Sequence, residues 1–97
     1  HEFAGSAYST SKAALGALTR EMASDFGKLG MRVNAIAPGE INTDILSPKS
    51  EKVILPNIPL GRFGEADEVA ETIFFLCNDG ALYVNGAEIH VNGGQHV

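Results

Sequence analysis

The chain has 97 residues, of which 44% are apolar, and 12 acids against 7 bases give a net charge of −5. That suffices for one small domain with a modest core, and a chain this short leaves much of its surface exposed. Single, scattered bases argue against a nucleic-acid groove, no apolar run approaches the roughly 20 residues that span a bilayer, and the lone Cys77 can build neither an internal disulfide nor a CxxC zinc pair.

The first expected element is a long helix from about Ser6 to Leu29. Leu15, Leu18, Met22, Phe26 and Leu29 recur at steps of three and four and mark one face of a 3.6-residue period. Ala13, Ala14, Gly16 and Ala17 make its middle slim enough for another backbone to approach. Gly30 stands where a left-handed C′ residue is expected. Met31 to Ala37 reads as a short strand buried on both faces, ended by Pro38-Gly39. Glu40 to Gly64 is irregular, punctuated by Pro48, Pro56, Pro59 and Gly61, with a short helix expected near Pro48 to Leu55. Ile41, Ile45, Leu46, Ile54, Leu55, Ile58 and Leu60 make it too apolar for a solvated linker, so it reads as a lid. A second helix is expected from about Glu65 to Asn78. Glu65, Asp67 and Glu68 sit at its positive end, Val69, Ile73, Leu76 and Cys77 lie inward, and Gly80 is the stop. Asn85-Gly86 is a turn dipeptide, Ala87 to Val91 a last strand, and Asn92-Gly93-Gly94 its end.

Helix, strand, lid, helix, strand is an α/β order with a parallel sheet. Two strands leave unpaired edges, so the sequence reads as incomplete as a domain. The N-terminal His1-Glu2-Phe3-Ala4-Gly5 has neither the basic nor the apolar region of a signal peptide. It does not begin with Met, which suggests that an upstream segment has been removed. The single thiol suits a reducing cytoplasm.

Chemistry is suggested first by Tyr8-Ser9-Thr10-Ser11-Lys12. Residues four apart share a helix face. An unassisted tyrosine is a poor base at neutral pH. A nearby ammonium and the positive end of a helix both favour a phenolate, so the spacing suits a tyrosine general acid/base assisted by lysine. An ordinary amphipathic helix start has the same spacing.

The surroundings are more specific. AYSTSKAALGALTREMA, RVNAIAPGEINTD, PLGRFGEADEVAETIFFL and YVNGAEIHVNGG, in that order, closely resemble the short-chain dehydrogenase/reductase family over nearly the whole chain. The resemblance implies residues 1–97 as the C-terminal portion of one Rossmann-like, doubly wound dehydrogenase domain, with a substrate lid over about 40–64. It implies an NAD(P)-dependent oxidoreductase that passes hydride between a nicotinamide and a carbonyl or secondary alcohol. Tyr8 matches the family's catalytic tyrosine. Lys12 matches the lysine that assists it and hydrogen-bonds the nicotinamide ribose. Pro38 and Gly39 match the turn along the nicotinamide, Ile41 a backbone contact to the carboxamide, and Thr43 a hydroxyl on the carboxamide or phosphate. Thr43 with Asp44 also reads as a helix cap.

The blocks resemble 3-oxoacyl-acyl-carrier-protein reductases and polyol-type dehydrogenases, and PLGRFG tips the balance to the former. The resemblance further implies a homodimer or homotetramer through the first helix and the last helix and strand, a small-molecule substrate, and no nucleic-acid or membrane partner.

Departures matter as much. No GxxxGxG or GxGxxG turn is present to hold the pyrophosphate of NAD or NADP. Gly93-Gly94 follows a strand but leads into no helix. Ser6 is too near Tyr8 to match the family's catalytic serine, and its Asn-Ala-Gly motif is absent. The chain alone is therefore expected to be inactive. A non-catalytic association module is the alternative, and a lid-based acyl-binding segment a third reading. Asn34 reads as structural, Arg62 and Phe63 as packing and loop anchor, and Cys77 as a core residue. His90 reads as structural, with no second ligand near it to suggest a metal, and His1 and His96 as solvated.

Overall fold

The computed structural model describes residues 2–44 and 47–95. His1, His96 and the lid residues Ile45 and Leu46 lie outside the described residues. Five elements follow in order: α1 (Glu2–Gly27), β1 (Ala35–Pro38), α2 (Pro48–Ile54), α3 (Ala66–Leu76) and β2 (Glu88–Val91), with 3₁₀ turns at Leu55–Asn57 and Asp79–Ala81. The fold is α/β, with β1 and β2 forming a small parallel sheet.

α1 ends as its sequence demands. Gly30 takes φ +83, its N–H donates to Gly27 O at 3.0 Å, and Met31 N–H donates to Phe26 O at 3.1 Å. That pair of bonds around a left-handed glycine satisfies the carbonyls that every helix end leaves open. α2 is capped by Ser47, whose hydroxyl accepts from Ser50 N–H at 3.2 Å. Ser47 is thus the cap, and the alternative reading of Thr43 with Asp44 as a cap does not hold for α2.

The strands are shorter than expected, yet their pairing runs further. The register is Ala35↔Glu88 through Pro38↔Val91. Beyond it, Gly86 N–H donates to Val33 O at 2.8 Å, and Gly39 N–H donates to Val91 O at 3.0 Å. Two asparagine side chains extend the same ladder. Asn34 accepts from Ala87 N–H at 2.9 Å and donates to Val84 O at 3.0 Å. Asn85 accepts from Val33 N–H at 2.9 Å and donates to Ala23 O at 3.0 Å, tying α1 to the sheet. The structural role expected of Asn34 is the one it fills.

α3 packs on both strands. Its start is held by Glu68, whose carboxylate accepts from Glu65 N–H at 2.9 Å and from Arg62 at 2.8 Å through each oxygen. Arg62 also reaches Phe63 O, and Phe63 is buried, so the expected loop anchor is in place. The ends of the 40–64 segment are pinned at both sides. Asn42 N–H donates to Gly64 O and Gly64 N–H to Glu40 O, while Leu60 N–H donates to Gly93 O.

The apolar face of α1 is not the one it buries: Leu15, Leu18, Phe26 and Leu29 are exposed, and Thr19 and Ala23 are buried. Slim side chains fit because Gly86 comes so near that a Cβ there would lie 3.2 Å from Ala23 Cβ. Of the inward face expected for α3, Leu76 is buried but Ile73 and Cys77 are exposed. The reason is common to both helices: no described element covers these sides. The molecule exposes 7172 Å², about a third more than the ~5,300 Å² that surface scaling gives for its mass. Among the described residues no helix is long and apolar enough to cross a membrane.

Two predictions follow from these bonds. Asn34→Ala leaves Ala87 N–H without a partner and Val84 C=O with the Arg32 guanidinium alone, and should cost about 1–3 kcal/mol in urea unfolding. The Arg62 guanidinium, then the Glu65 N–H, hold the Glu68 carboxyl at about 2, below its ordinary 4.5. A lowered folded-state value stabilises the fold fully above pH 4.5 and loses that contribution as pH falls through about 2. Glu68→Gln should therefore flatten the stability profile between those limits. The effect is small, because both side chains are solvated. An unchanged acid limb would show that Arg62 contributes nothing to it.

Candidate active site

Parallel pairing places the carboxyl ends of β1 and β2 side by side. The residues after Pro38 and after Val91 must then be neighbours. Gly39 and Asn92 approach so closely that a Cβ on Gly39 would lie 2.6 Å from Asn92 Cβ and 3.3 Å from Gln95 Oε1. Only a glycine backbone fits there.

The N-terminal half of α1 crosses in front of this edge. Tyr8 and Lys12, one helical turn apart, face it together with Ala37, Pro38, Gly39, Glu40, His90, Asn92 and Gln95, around a cavity of about 110 Å³. Lys12 Nζ stands 5.5 Å from the centroid of the Tyr8 ring, within the range of a cation–π contact. The ammonium thus travels with the phenol and stays free to bond a ligand. Tyr8 is 56% exposed, so its hydroxyl is open to whatever fills the cleft.

Of the sequence-derived site residues, the structure brings together Tyr8, Lys12, Pro38 and Gly39. Ile41 stands apart from the cavity. It bridges Gly64, where a Cβ would lie 3.1 Å from Ile41 Cδ1. Thr43 is exposed and also outside the cavity wall. Glu40, His90, Asn92 and Gln95 were not singled out in the sequence as site residues. A signal existed: once β2 is taken as parallel to β1, its end falls beside Pro38-Gly39. No group of three or more His, Cys, Asp or Glu that could hold a metal ion occurs among the described residues.

The arrangement offers a phenolic proton donor, a lysine one turn away, and bare backbone at a strand edge. Acid/base work on an oxygen atom is what it can do. A dinucleotide needs more than this, since a cavity near 110 Å³ is well below the ~300–1,000 Å³ of whole-ligand sites.

Comparison with known proteins agrees with this geometry. The family described as enoyl-(acyl carrier protein) reductase matches residues 2–96. Protein FixR of Bradyrhizobium diazoefficiens is 64% identical over 97 residues, covering 100% of this chain and 35% of that protein. The 3-oxoacyl-[acyl-carrier-protein] reductase FabG of Aquifex aeolicus is 46% identical over 91 residues, covering 91% of this chain and 37% of that protein. A crystal structure of a short chain dehydrogenase from Bacillus anthracis superposes with a TM-score of 0.77 at 39% identity, over 91% of this chain and 34% of that one. The chain thus spans about a third of the length of the relatives it matches. With nearly every residue inside the match, and the Tyr8–Lys12 turn facing a parallel strand edge, the chain belongs to the short-chain dehydrogenase/reductase family and is similar to its 3-oxoacyl-[acyl-carrier-protein] reductases.

Proposed function

We propose that this chain is the C-terminal portion, residues 1–97, of a Rossmann-like NAD(P)-dependent oxidoreductase of the cytoplasm, with residues 40–64 as its lid. It would act on a carbonyl or secondary alcohol, with 3-oxoacyl thioesters the favoured class. One observation carries the reading: Tyr8 and Lys12 meet the carboxyl ends of β1 and β2 around a single cavity. Ligands of parallel α/β sheets bind at such ends.

The residues fit the nicotinamide side of the cofactor. Lys12 would hold the ribose hydroxyls, and Pro38 with Gly39 would form the wall beside the ring. The bareness of Gly39, where a side chain would collide with Asn92, supports that role. Ile41 and Thr43 would serve the carboxamide end, just past the cavity. Bound there, the nicotinamide supplies or accepts a hydride. Tyr8 gives its phenolic proton to the oxygen of a carbonyl being reduced, or takes one from an alcohol being oxidised. Lys12 stands within reach of the same ring. Neither α2 nor α3 is preceded by a glycine-rich turn from a strand. The pyrophosphate would be held by residues outside this sequence, and the 97 residues alone would be inactive.

Association is the second part of the reading. Leu15 and Leu18 on α1, and Phe74 and Phe75 on α3, are exposed apolar side chains on elements that flank the sheet. They would be covered by the rest of the domain and by further copies in a homodimer or homotetramer. A purely structural module would keep these faces and have no use for the Tyr8–Lys12 turn.

The decisive assay is oxidation of NADPH or NADH by the longest polypeptide carrying this segment, with a 3-oxoacyl thioester as substrate. Tyr8→Phe should reduce kcat by about 10²–10⁴-fold while leaving unfolding unchanged, and full activity in that variant would defeat the mechanism. Gly39→Ala must displace the Asn92–Gln95 turn and should cost about 1–3 kcal/mol. It should also raise KM for the nicotinamide cofactor. An unaltered cofactor KM would remove Gly39 from the site.

A further inference from the structure

Glu40 follows directly on the Pro38-Gly39 turn and lines the same cavity as Tyr8 and Lys12. Its backbone is held from both sides. Gly39 N–H donates to Val91 O at 3.0 Å, Gly64 N–H donates to Glu40 O at 3.0 Å, and Asn42 N–H donates to Gly64 O at 2.7 Å. Main-chain bonds thus fix the residue at the cavity, and it is half-buried there. Among the described residues that line the cavity, Glu40 is the one carboxylate. The salt bridges among the described residues join Arg62 to Glu68 and His90 to Glu88. Glu40 is therefore paired neither with Lys12 across the cavity nor with another of these bases.

A carboxylate on such a wall discriminates between ligands by their charge. A nicotinamide ring is neutral when reduced and carries a positive charge when oxidised. Attraction between unit charges a few ångströms apart is several times stronger in a partly buried site than in bulk water. The amides of Asn92 and Gln95 have no net charge and cannot tell the two forms apart by it. Lys12, the opposing charge, is held over the Tyr8 ring, and His90 has Glu88 as its partner.

We propose that Glu40 determines which redox state of the cofactor this site prefers, its carboxylate favouring the cationic, oxidised nicotinamide over the neutral, reduced one. This role rests on the reading of Pro38 and Gly39 as the wall beside the ring. The charges balance. In carbonyl reduction a hydride forms the new C–H bond, Tyr8 supplies the proton of the new O–H bond, and the positive charge left on the ring appears beside Glu40. In alcohol oxidation that charge is consumed there. Glu40 gives and takes no proton or electron and acts through its charge alone. A tenfold preference for the oxidised form lowers the potential of the bound two-electron couple by ~30 mV, which favours carbonyl reduction on the protein.

Direct binding tests this in the longest polypeptide that carries the segment. The probes are NADP⁺, NADPH, NAD⁺ and NADH, with ADP-ribose or its 2′-phosphate as the ligand that lacks a nicotinamide. In Glu40→Gln the Kd of the oxidised form should rise about tenfold relative to that of the reduced form. Glu40→Asp should keep most of the preference. The ligand without nicotinamide should bind all three proteins alike, and their melting temperatures should agree. An unchanged oxidised-to-reduced ratio in Glu40→Gln would overturn the proposal. So would an equal loss for every ligand together with a lower melting temperature, which would mark Glu40 as structural. Turnover of a 3-oxoacyl thioester separates this role from the reading beneath it. If Tyr8→Phe loses turnover and the ratio ignores Glu40→Gln, only the charge role fails. If the unsubstituted protein binds neither cofactor form, the nicotinamide wall fails with it.

Discussion

The structure depends on the register of one short parallel ladder. Four residues a side would be a weak pairing. It is lengthened by Gly86 N–H to Val33 O at one end and Gly39 N–H to Val91 O at the other. The Asn34 and Asn85 amides fill the places where the N–H groups of Ala87 and Val33 would otherwise go unpaired, and Asn34 also donates to Val84 O. A slip of one residue would reverse every side chain. It would also break these three side-chain bonds, whose donors and acceptors sit at fixed positions. The asparagines therefore act as register pins. Because Asn85 also holds Ala23 O, the same pins fix where α1 lies against the sheet. The Tyr8–Lys12 turn meets the strand ends as a consequence.

The small residues serve the same constraint. Gly86 lets α1 approach at Ala23, and Gly39 lets the loop after β2 approach the loop after β1. At Gly93, with φ +62, a Cβ would lie 2.9 Å from Ile58, so the segment at 58–60 can rest on the turn that closes β2. Helix, strand ends and that segment are thus bound together where backbones meet without side chains between them. The large apolar residues do something different. Leu15, Leu18, Phe74 and Phe75 are exposed, and the two strands present edges. Burial of such surface is the main favourable term in folding, so this segment gains much of its stability from what covers it.

The local features were legible because their causes are local. Gly30 ends α1 as a left-handed residue, Gly86 turns with φ +81, and acidic residues open α3. Tyr8 and Lys12 were readable as a pair because helical spacing alone puts them on one face. The errors came where burial depends on distant or absent neighbours. The apolar stripe of α1 is legible as a face, yet the described partner meets Thr19 and Ala23 beside it. Cys77 was placed in the core by its type, but it is exposed at the end of α3. Half of the cavity wall was missed for a related reason. Glu40, His90, Asn92 and Gln95 converge only through a pairing of residues 53 apart in register, which no periodicity within one element reveals.

A site at the carboxyl ends of parallel strands is assembled from loops that follow separate strands, and each loop contributes a few groups. That division has an energetic side. Tyr8 and Lys12 can be oriented by one helix turn and one strand edge, since positioning a proton donor takes only local rigidity. Holding a dinucleotide takes many contacts over a long molecule and a helix N-terminus aimed at its phosphates, which this segment does not offer. Reactive groups and cofactor grip can therefore reside in different stretches of a chain, and chemistry arises only where both are packed against each other. On the proposed reading, the uncovered apolar faces of α1 and α3 would supply the force for docking against the part that would bring the cofactor to Tyr8.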